Sequence, residues 1–229
     1  MTLGSILHDM WDIFVTYYVG EGLLVTGVGY TLLLSAIAVF FGTILGSLLA
    51  VGKMSRFKAL QYVITAFVEI MRGTPALLQL YIAYFIVPMM LTNLNPTPIA
   101  CVAIGLTLNS AAYVSEIIRS GINAVDKGQT EAARALGLTS KTTMMKVVMP
   151  QAVRNILPAL GNEFITIIKE TSLASNFFVG ELMTTYAIIK GVTFNTVPTL
   201  IDIGIIYFVM TFTLSKLIGV AERRMKAGA

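Results

Sequence analysis

The sequence predicts an all-α integral membrane protein with about five transmembrane helices and a helix–turn–helix on the cytoplasmic side. Three observations lead there. Hydrophobic residues make up 56% of the 229-residue chain and charged residues only 12%. A soluble domain carries about 25% charged residues, and a soluble core of this length cannot hide so much apolar surface, so the excess faces lipid. Long runs lack charge altogether, and the basic residues fall in clusters between them.

The spans follow in order. A membrane helix needs roughly 20 apolar residues to cross about 30 Å. Leu23 to Val51 has no charged residue and is the clearest span; its Gly42 and Gly46 form a GxxxG pair of the kind that lets two helix backbones approach. Lys58 to Leu91 carries Glu69 and Arg72, then a Gly73-Thr74-Pro75 break. As one straight helix it would be about 50 Å long. Proline disfavours helix at the residue before it, so one crossing broken there is preferred; two crossings would invert everything downstream. Thr97 to Ser115 is the third span, Asn155 to about Phe178 the fourth, with Glu163, Lys169 and Glu170 inside it, and Pro198 to Leu217 the fifth.

Positive charge sets the orientation. Lys53, Arg56 and Lys58 follow the first span. Arg119, Lys127, Arg134, Lys141, Lys146 and Arg154 lie between the third and fourth, and Arg223, Arg224 and Lys226 end the chain. The turn Pro88–Pro98 has no charge and Gly180–Val197 has one Glu and one Lys. Five spans then put the N-terminus outside and the C-terminus in the cytoplasm. Residues 1–22 form an extracytoplasmic segment, 23–220 the membrane domain, and 221–229 a cytoplasmic tail. The N-terminal segment has no basic start and carries His8, Asp9, Asp12 and Glu21, which argues against a cleaved signal peptide.

The longest polar stretch, 121–150, is cytoplasmic by this orientation. Glu131 to Leu136 are strong helix formers, and Gly137 stands where a helix stops in the left-handed conformation. Thr139 or Ser140 can cap a second helix through Lys146, which Pro150 should break. Small alanines give this loop a knob that fits a groove on a partner, with Glu131 and Arg134 to fix it by charge.

Chemistry of other kinds is missing. A single Cys, Cys101, makes neither a disulfide nor a CxxC metal site. There is no GxxxxGK[ST] phosphate loop, no HExxH, no GxSxG and no histidine besides His8. No catalytic or metal residues are expected, and no basic run suggests nucleic acid.

Charges inside spans persist where they face protein or water. Counting helix rise from the inner surface puts Glu69 about 16 Å deep, Arg72 about 21 Å, Asn109 about 15 Å and Glu163 about 13 Å. These residues, with Ser110, Gly73, Thr74 and Asn162, are the candidate pathway. Arg72 and backbone freed at the break can receive a carboxylate; Glu163 and Asn109 can receive an amino group. Glu163, Thr166 and Glu170 are expected to share a face. A purely structural Glu69–Arg72 pair remains open.

The loop resembles the EAA motif of ATP-binding-cassette importer permeases. Glu131-Ala132-Ala133 is followed by Arg134-Ala135-Leu136, Gly137 and, nine residues later, Val147-Val148-Met149-Pro150. Arg72-Gly73-Thr74-Pro75, Asn109-Ser110-Ala111-Ala112-Tyr113, Gly161-Asn162-Glu163-Phe164 and Lys169-Glu170-Thr171-Ser172-Leu173 extend the resemblance to the polar amino acid branch (histidine, glutamine, arginine). The resemblance implies a type I importer fold and a bacterial inner-membrane location. Two permease subunits would pair around a pathway, with an amino-acid-binding protein outside. ATP-binding-cassette ATPase subunits would dock on Glu131, Ala132, Ala133, Arg134 and Gly137, ATP and Mg staying on the ATPase and no cofactor on this chain. A membrane scaffold anchoring a cytoplasmic partner and a secondary carrier are the competing readings.

Overall fold

A computed structural model describes residues 2–227, with side chains described to residue 224. Of the predicted tail, the Lys226 side chain and residues 228–229 lie outside the described residues, as does Met1 of the N-terminal segment. The described chain is helical throughout its length, without strands. Helix α1 (Leu3–Ile13) continues through a π-helical turn, Phe14–Gly20, to α2 (Leu23–Lys53). Then come α3 (Lys58–Gly73), α4 (Ala76–Met90) and α5 (Pro98–Asn123). The polar loop holds α6 (Lys127–Ala135) and the short α7 (Ser140–Thr143). A π turn, Met144–Val148, leads into α8 (Met149–Glu170), and a 3₁₀ stretch, Thr171–Phe177, precedes α9 (Leu182–Thr193) and α10 (Thr196–Ala227).

Three helices among the described residues are long and apolar enough to cross a bilayer: α2, α5 and α10. The pair α3 and α4 meets the same test together, bent by 114° at its break. The break falls at Thr74-Pro75, where proline removes a donor and pushes the preceding residue out of the helical region; Thr74 has φ −116° and ψ 151°.

Helices α2 and α5 pack together most closely. A Cβ on Gly42 would stand 2.8 Å from the Ser110 side chain, and one on Gly46 2.7 Å from the Ala111 backbone oxygen. The GxxxG spacing thus seats the α5 backbone directly on α2. Around this contact Leu34, Ala38, Leu80, Val102, Leu106, Ile167 and Phe177 close the main apolar core.

The fourth crossing differs from the prediction. Asn155–Phe178 is not one helix with an outer turn after it. The Leu182 amide donates to Thr31 Oγ1 (3.1 Å), and Tyr207 donates to Glu181 Oε2 (3.3 Å). Thr31 lies about 12 Å along α2 from its N-terminal end and Tyr207 about 16 Å along α10 from its own. Residues 171–181 therefore form an irregular stretch packed among the helices, containing left-handed Phe178 (φ 50°) and Gly180 (φ 80°), and α9 follows it. The expected break at Pro150 is also corrected. Pro150 sits in the first turn of α8, where its missing N–H costs little, and the helix runs on through the π turn before it.

Gly46→Val is expected to destabilise the protein by about 1–3 kcal/mol, because the obstructing atom is backbone and cannot move aside cheaply. Gly29→Ala, with nothing within 4 Å of the added Cβ, serves as the control. Thermal unfolding in detergent should separate the two.

Candidate functional site

The candidate site residues fall into two groups of polar side chains and one polar loop, 121–150. In the first group, α5 presents Asn109 and Ser110, α8 presents Glu163, and α4 presents Gln79; all four are buried. Asn109 Nδ2 donates to Gln79 Oε1 at 2.8 Å. Gln79 Nε2 in turn donates to the carbonyls of Met71 (2.6 Å) and Thr74 (3.1 Å) and meets Thr74 Oγ1 at 2.9 Å. A side-chain amide thus occupies the carbonyls that the Gly73-Thr74-Pro75 break frees. Gln79 thereby takes the Met71 and Thr74 carbonyls, two of the backbone groups expected to be open to cargo. Ser110 faces the Glu163 carboxyl, and Glu170 is within charge–charge range. Asn109 Oδ1, Ser110 Oγ, Glu163 Oε1 and Glu170 Oε2 remain buried without a hydrogen-bond partner. Unsatisfied polar atoms are rare and costly in apolar surroundings, and these four lie on two packed helices, α5 and α8.

Arg72 and Glu69 do not join this group. Arg72 Nη1 lies 3.8 Å from Glu116 Oε2, and its guanidinium stands over the Tyr113 ring at 5.7 Å. Glu116 also takes Lys53 (2.5 Å) and Arg119 (2.8 Å). The Arg72 charge therefore lies beside those of Lys53 and Arg119 on a shared carboxylate, not 21 Å beyond them. Counting rise overstates the climb because it assumes that α3 stands along the membrane normal, and a long arginine side chain reaches back toward the polar end. Glu69 is exposed and makes no ion pair with Arg72. Below Glu163, Arg72, Glu116, Ser120, Asn155 and Ala159 border a cavity of about 430 Å³.

Gly73, Asn162 and Thr166 are exposed, whereas Thr74 is half-buried. Glu163 is buried, so it does not share the exposed face of Thr166. Instead Asn155, Asn162, Thr166 and Lys169 are all exposed on α8. Their spacing of i, i+7, i+11 and i+14 makes one polar stripe. Such a stripe at membrane depth requires water or protein against it.

The second group surrounds Glu181, fully buried at the α8–α9 break. Its carboxylate caps α9, accepting from the amides of Met183 (2.6 Å) and Thr184 (2.7 Å), from Thr184 Oγ1 (2.9 Å) and from Tyr207. A carboxylate at a helix N-terminus is favoured by capping and by the dipole.

In the polar loop, α6 ends as its sequence demands. The Leu138 amide donates to Ala133 O (3.1 Å) and the Gly137 amide to Arg134 O (3.0 Å), with Gly137 at φ 84°. This paired closure satisfies the last carbonyls of the helix. Thr139 caps the next helix, its Oγ1 accepting from the Thr142 amide. Ala133 is buried and holds α6 down; Glu131, Ala132, Arg134 and Gly137 are exposed. Arg134 Nη1 donates back to Leu138 O at 2.6 Å, bracing the turn.

Sequence reasoning missed Gln79, Glu116, Glu181 and Leu136. Gln79 is a lone amide in an apolar run, a readable signal. Leu136 is 84% exposed at the loop tip, next to residues already suspected. Glu181 carried no signal, because its depth follows from a break that composition does not reveal.

Discontinuous crossings that gather polar side chains within the helix layer define a membrane transport component. The chain belongs to the binding-protein-dependent transport system inner membrane component family, whose profile matches residues 42–227. It is accordingly a multi-pass inner-membrane permease subunit rather than an enzyme. A putative glutamine transport system permease of Rickettsia bellii is 40% identical over 202 residues, 88% of this chain and 92% of the relative. The L-cystine transport system permease of Bacillus subtilis is 37% identical over 226 residues, 98% and 94% of the two chains. The arginine transport system permease of the same organism is 39% identical over 201 residues, 88% and 91%. Among solved structures, an amino acid ABC transporter with histidines is 43% identical, with TM-score 0.86, over 92% of this chain and 98% of that one.

Gln79→Leu should cost about 1–3 kcal/mol, since it strands two carbonyls and Asn109. Combined with Asn109→Leu the losses should be non-additive by at least about 0.5 kcal/mol. Unfolding midpoints of the two single variants and the double variant in detergent check this.

Proposed function

We propose that this chain forms the translocation pathway of an ATP-driven importer for a polar amino acid, paired with a second permease chain, the same or homologous. The observation that carries the reading is the exposed polar stripe of α8, bordered by buried Glu163 with its unpartnered oxygen. A stripe of Asn155, Asn162, Thr166 and Lys169 facing lipid would be costly; facing a wet pathway between two permease chains it is stable. Glu69 and Gly73 are likewise exposed, on α3. Relatives named for glutamine, cystine and arginine support an amino acid as cargo.

Glu163 and Asn109 receive the amino group or a polar side chain, with the Ser110 hydroxyl beside Glu163. A carboxylate at this point favours a cationic side chain over a neutral one. Arg72, on the wall of the cavity below Glu163, meets the cargo carboxylate before release. The N-terminus lies outside and the C-terminus in the cytoplasm, the orientation in which Lys53, Arg119 and Arg223 all face inward.

Energy comes from separate ATPase subunits, which hold ATP and Mg. Glu131, Ala132, Ala133, Arg134 and Gly137 form the docking element, with exposed Leu136 as its apolar tip. Ala132 is exposed on α6, so it meets the ATPase groove without disturbing the fold. An extracytoplasmic binding protein delivers cargo to the outer face.

In proteoliposomes holding the permease pair, its ATPase and binding protein, Ala132→Asp should lower ATP-dependent uptake by on the order of tenfold or more. Membrane insertion should stay intact; uptake at wild-type level would sink the docking assignment. Glu163→Gln should lower uptake of arginine relative to glutamine in a competition panel. An unchanged ratio would remove Glu163 from cargo selection.

A further inference from the structure

Asp202 on α10 stands apart from both polar groups and has no role in the pathway. The residue is 5% exposed, its Oδ2 is buried without a hydrogen-bond partner, and among the described residues no basic side chain forms an ion pair with it. The group facing it across the α1 side is Tyr18, whose hydroxyl is likewise buried and unpartnered. A carboxylate within a membrane span that has no partner of its own calls for one from elsewhere.

The surroundings of Asp202 say what that partner is. Asp202 lines a groove of about 260 Å³ between α1 and α10 whose other walls include Leu7, Trp11, Phe14, Ile205 and Ile206. Asp202 is the one polar lining residue, so the groove suits a chain or glycerol backbone with a single cationic end. The groove lies at headgroup depth. Asp202 stands about 31 Å along α10 from Arg223, one hydrocarbon thickness above the inner basic cluster. Helix α1 exposes Leu3 (75%), Leu7 (57%) and Trp11 (68%), the composition of a helix lying in the interface. The neighbouring segment carries Asp9, Asp12 and Glu21 and no Lys or Arg, which repels anionic headgroups and favours cationic ones.

We propose that the α1–α10 groove binds a phospholipid with a primary ammonium headgroup, the ammonium meeting Asp202 and the upper acyl chain filling the apolar walls. Phosphatidylethanolamine fits; phosphatidylcholine, whose quaternary nitrogen donates no hydrogen bond, does not. The depth argument rests on the orientation proposed above, but lipid preference is read independently of transport, so either can fail alone.

The test is native mass spectrometry of the intact permease assembly with equal phosphatidylethanolamine and phosphatidylcholine of identical chains. Wild type should retain the ethanolamine lipid about five-fold over the choline lipid. Asp202→Asn should abolish that preference, and Ile205→Trp, which fills the groove with Asp202 intact, should lose the retained lipid. Ile205→Trp decides the matter alone if Asp202→Asn fails to assemble. Equal retention of both lipids by wild type, unchanged preference in Asp202→Asn, or full retention in Ile205→Trp each overturn the proposal. So does displacement of the lipid by millimolar free ethanolamine, which would mark a soluble-amine site.

Discussion

The contact of α5 on α2 at Gly42 and Gly46 governs where every polar group in the helix layer can stand. Two helices whose facing residues lack side chains approach until backbone meets backbone, as the Ala111 oxygen meets Gly46. That approach buries Ser110 against α2 and leaves Asn109 turned toward α4 and Gln79. With α5 fixed in this way, α8 packs on it and brings Glu163 opposite Ser110. A larger residue at either glycine would hold α5 away and scatter the group.

Both breaks in the crossings obey the same rule: backbone that leaves the helical ladder within a membrane must find partners. At Thr74-Pro75 the Gln79 amide supplies them, and at residues 171–181 the Glu181 carboxylate does. One break therefore exposes carbonyls and takes a donor, whereas the other exposes amides and takes an acceptor. Side-chain atoms without partners, on Asn109, Ser110 and Glu163, lie beside the first of these breaks.

Much of this was legible in the sequence, for identifiable reasons. Uncharged runs give α2, α5 and α10, because lipid tolerates little else. Pro75 gives the first break, because proline acts locally. Gly137 gives the α6 stop by the same local logic, and the EAA-like spacing gave the family. The illegible parts depend on tertiary direction. The level of the Arg72 charge required the tilt of α3 and the position of Glu116, a residue on another span. The depth of Glu181 required its bonds to Thr31 and Tyr207, distant in sequence. The α8 stripe was written in the sequence as Asn155, Asn162, Thr166 and Lys169, but its exposure becomes evident only when Glu163 is seen to face α5 instead.

Water access along α8 tests the central claim most directly. In a Cys101→Ser background, single cysteines at 155, 162, 166 and 169 are compared with single cysteines at 152, 156 and 167 on the buried face of α8, using a membrane-impermeant thiol reagent on the reconstituted permease pair. A wet pathway predicts rapid labelling of the four stripe positions, slowed by cargo and ATPase, and no labelling of the other three. Equal, slow labelling at all seven positions would mean that α8 faces lipid or packed protein, and that the pathway lies elsewhere.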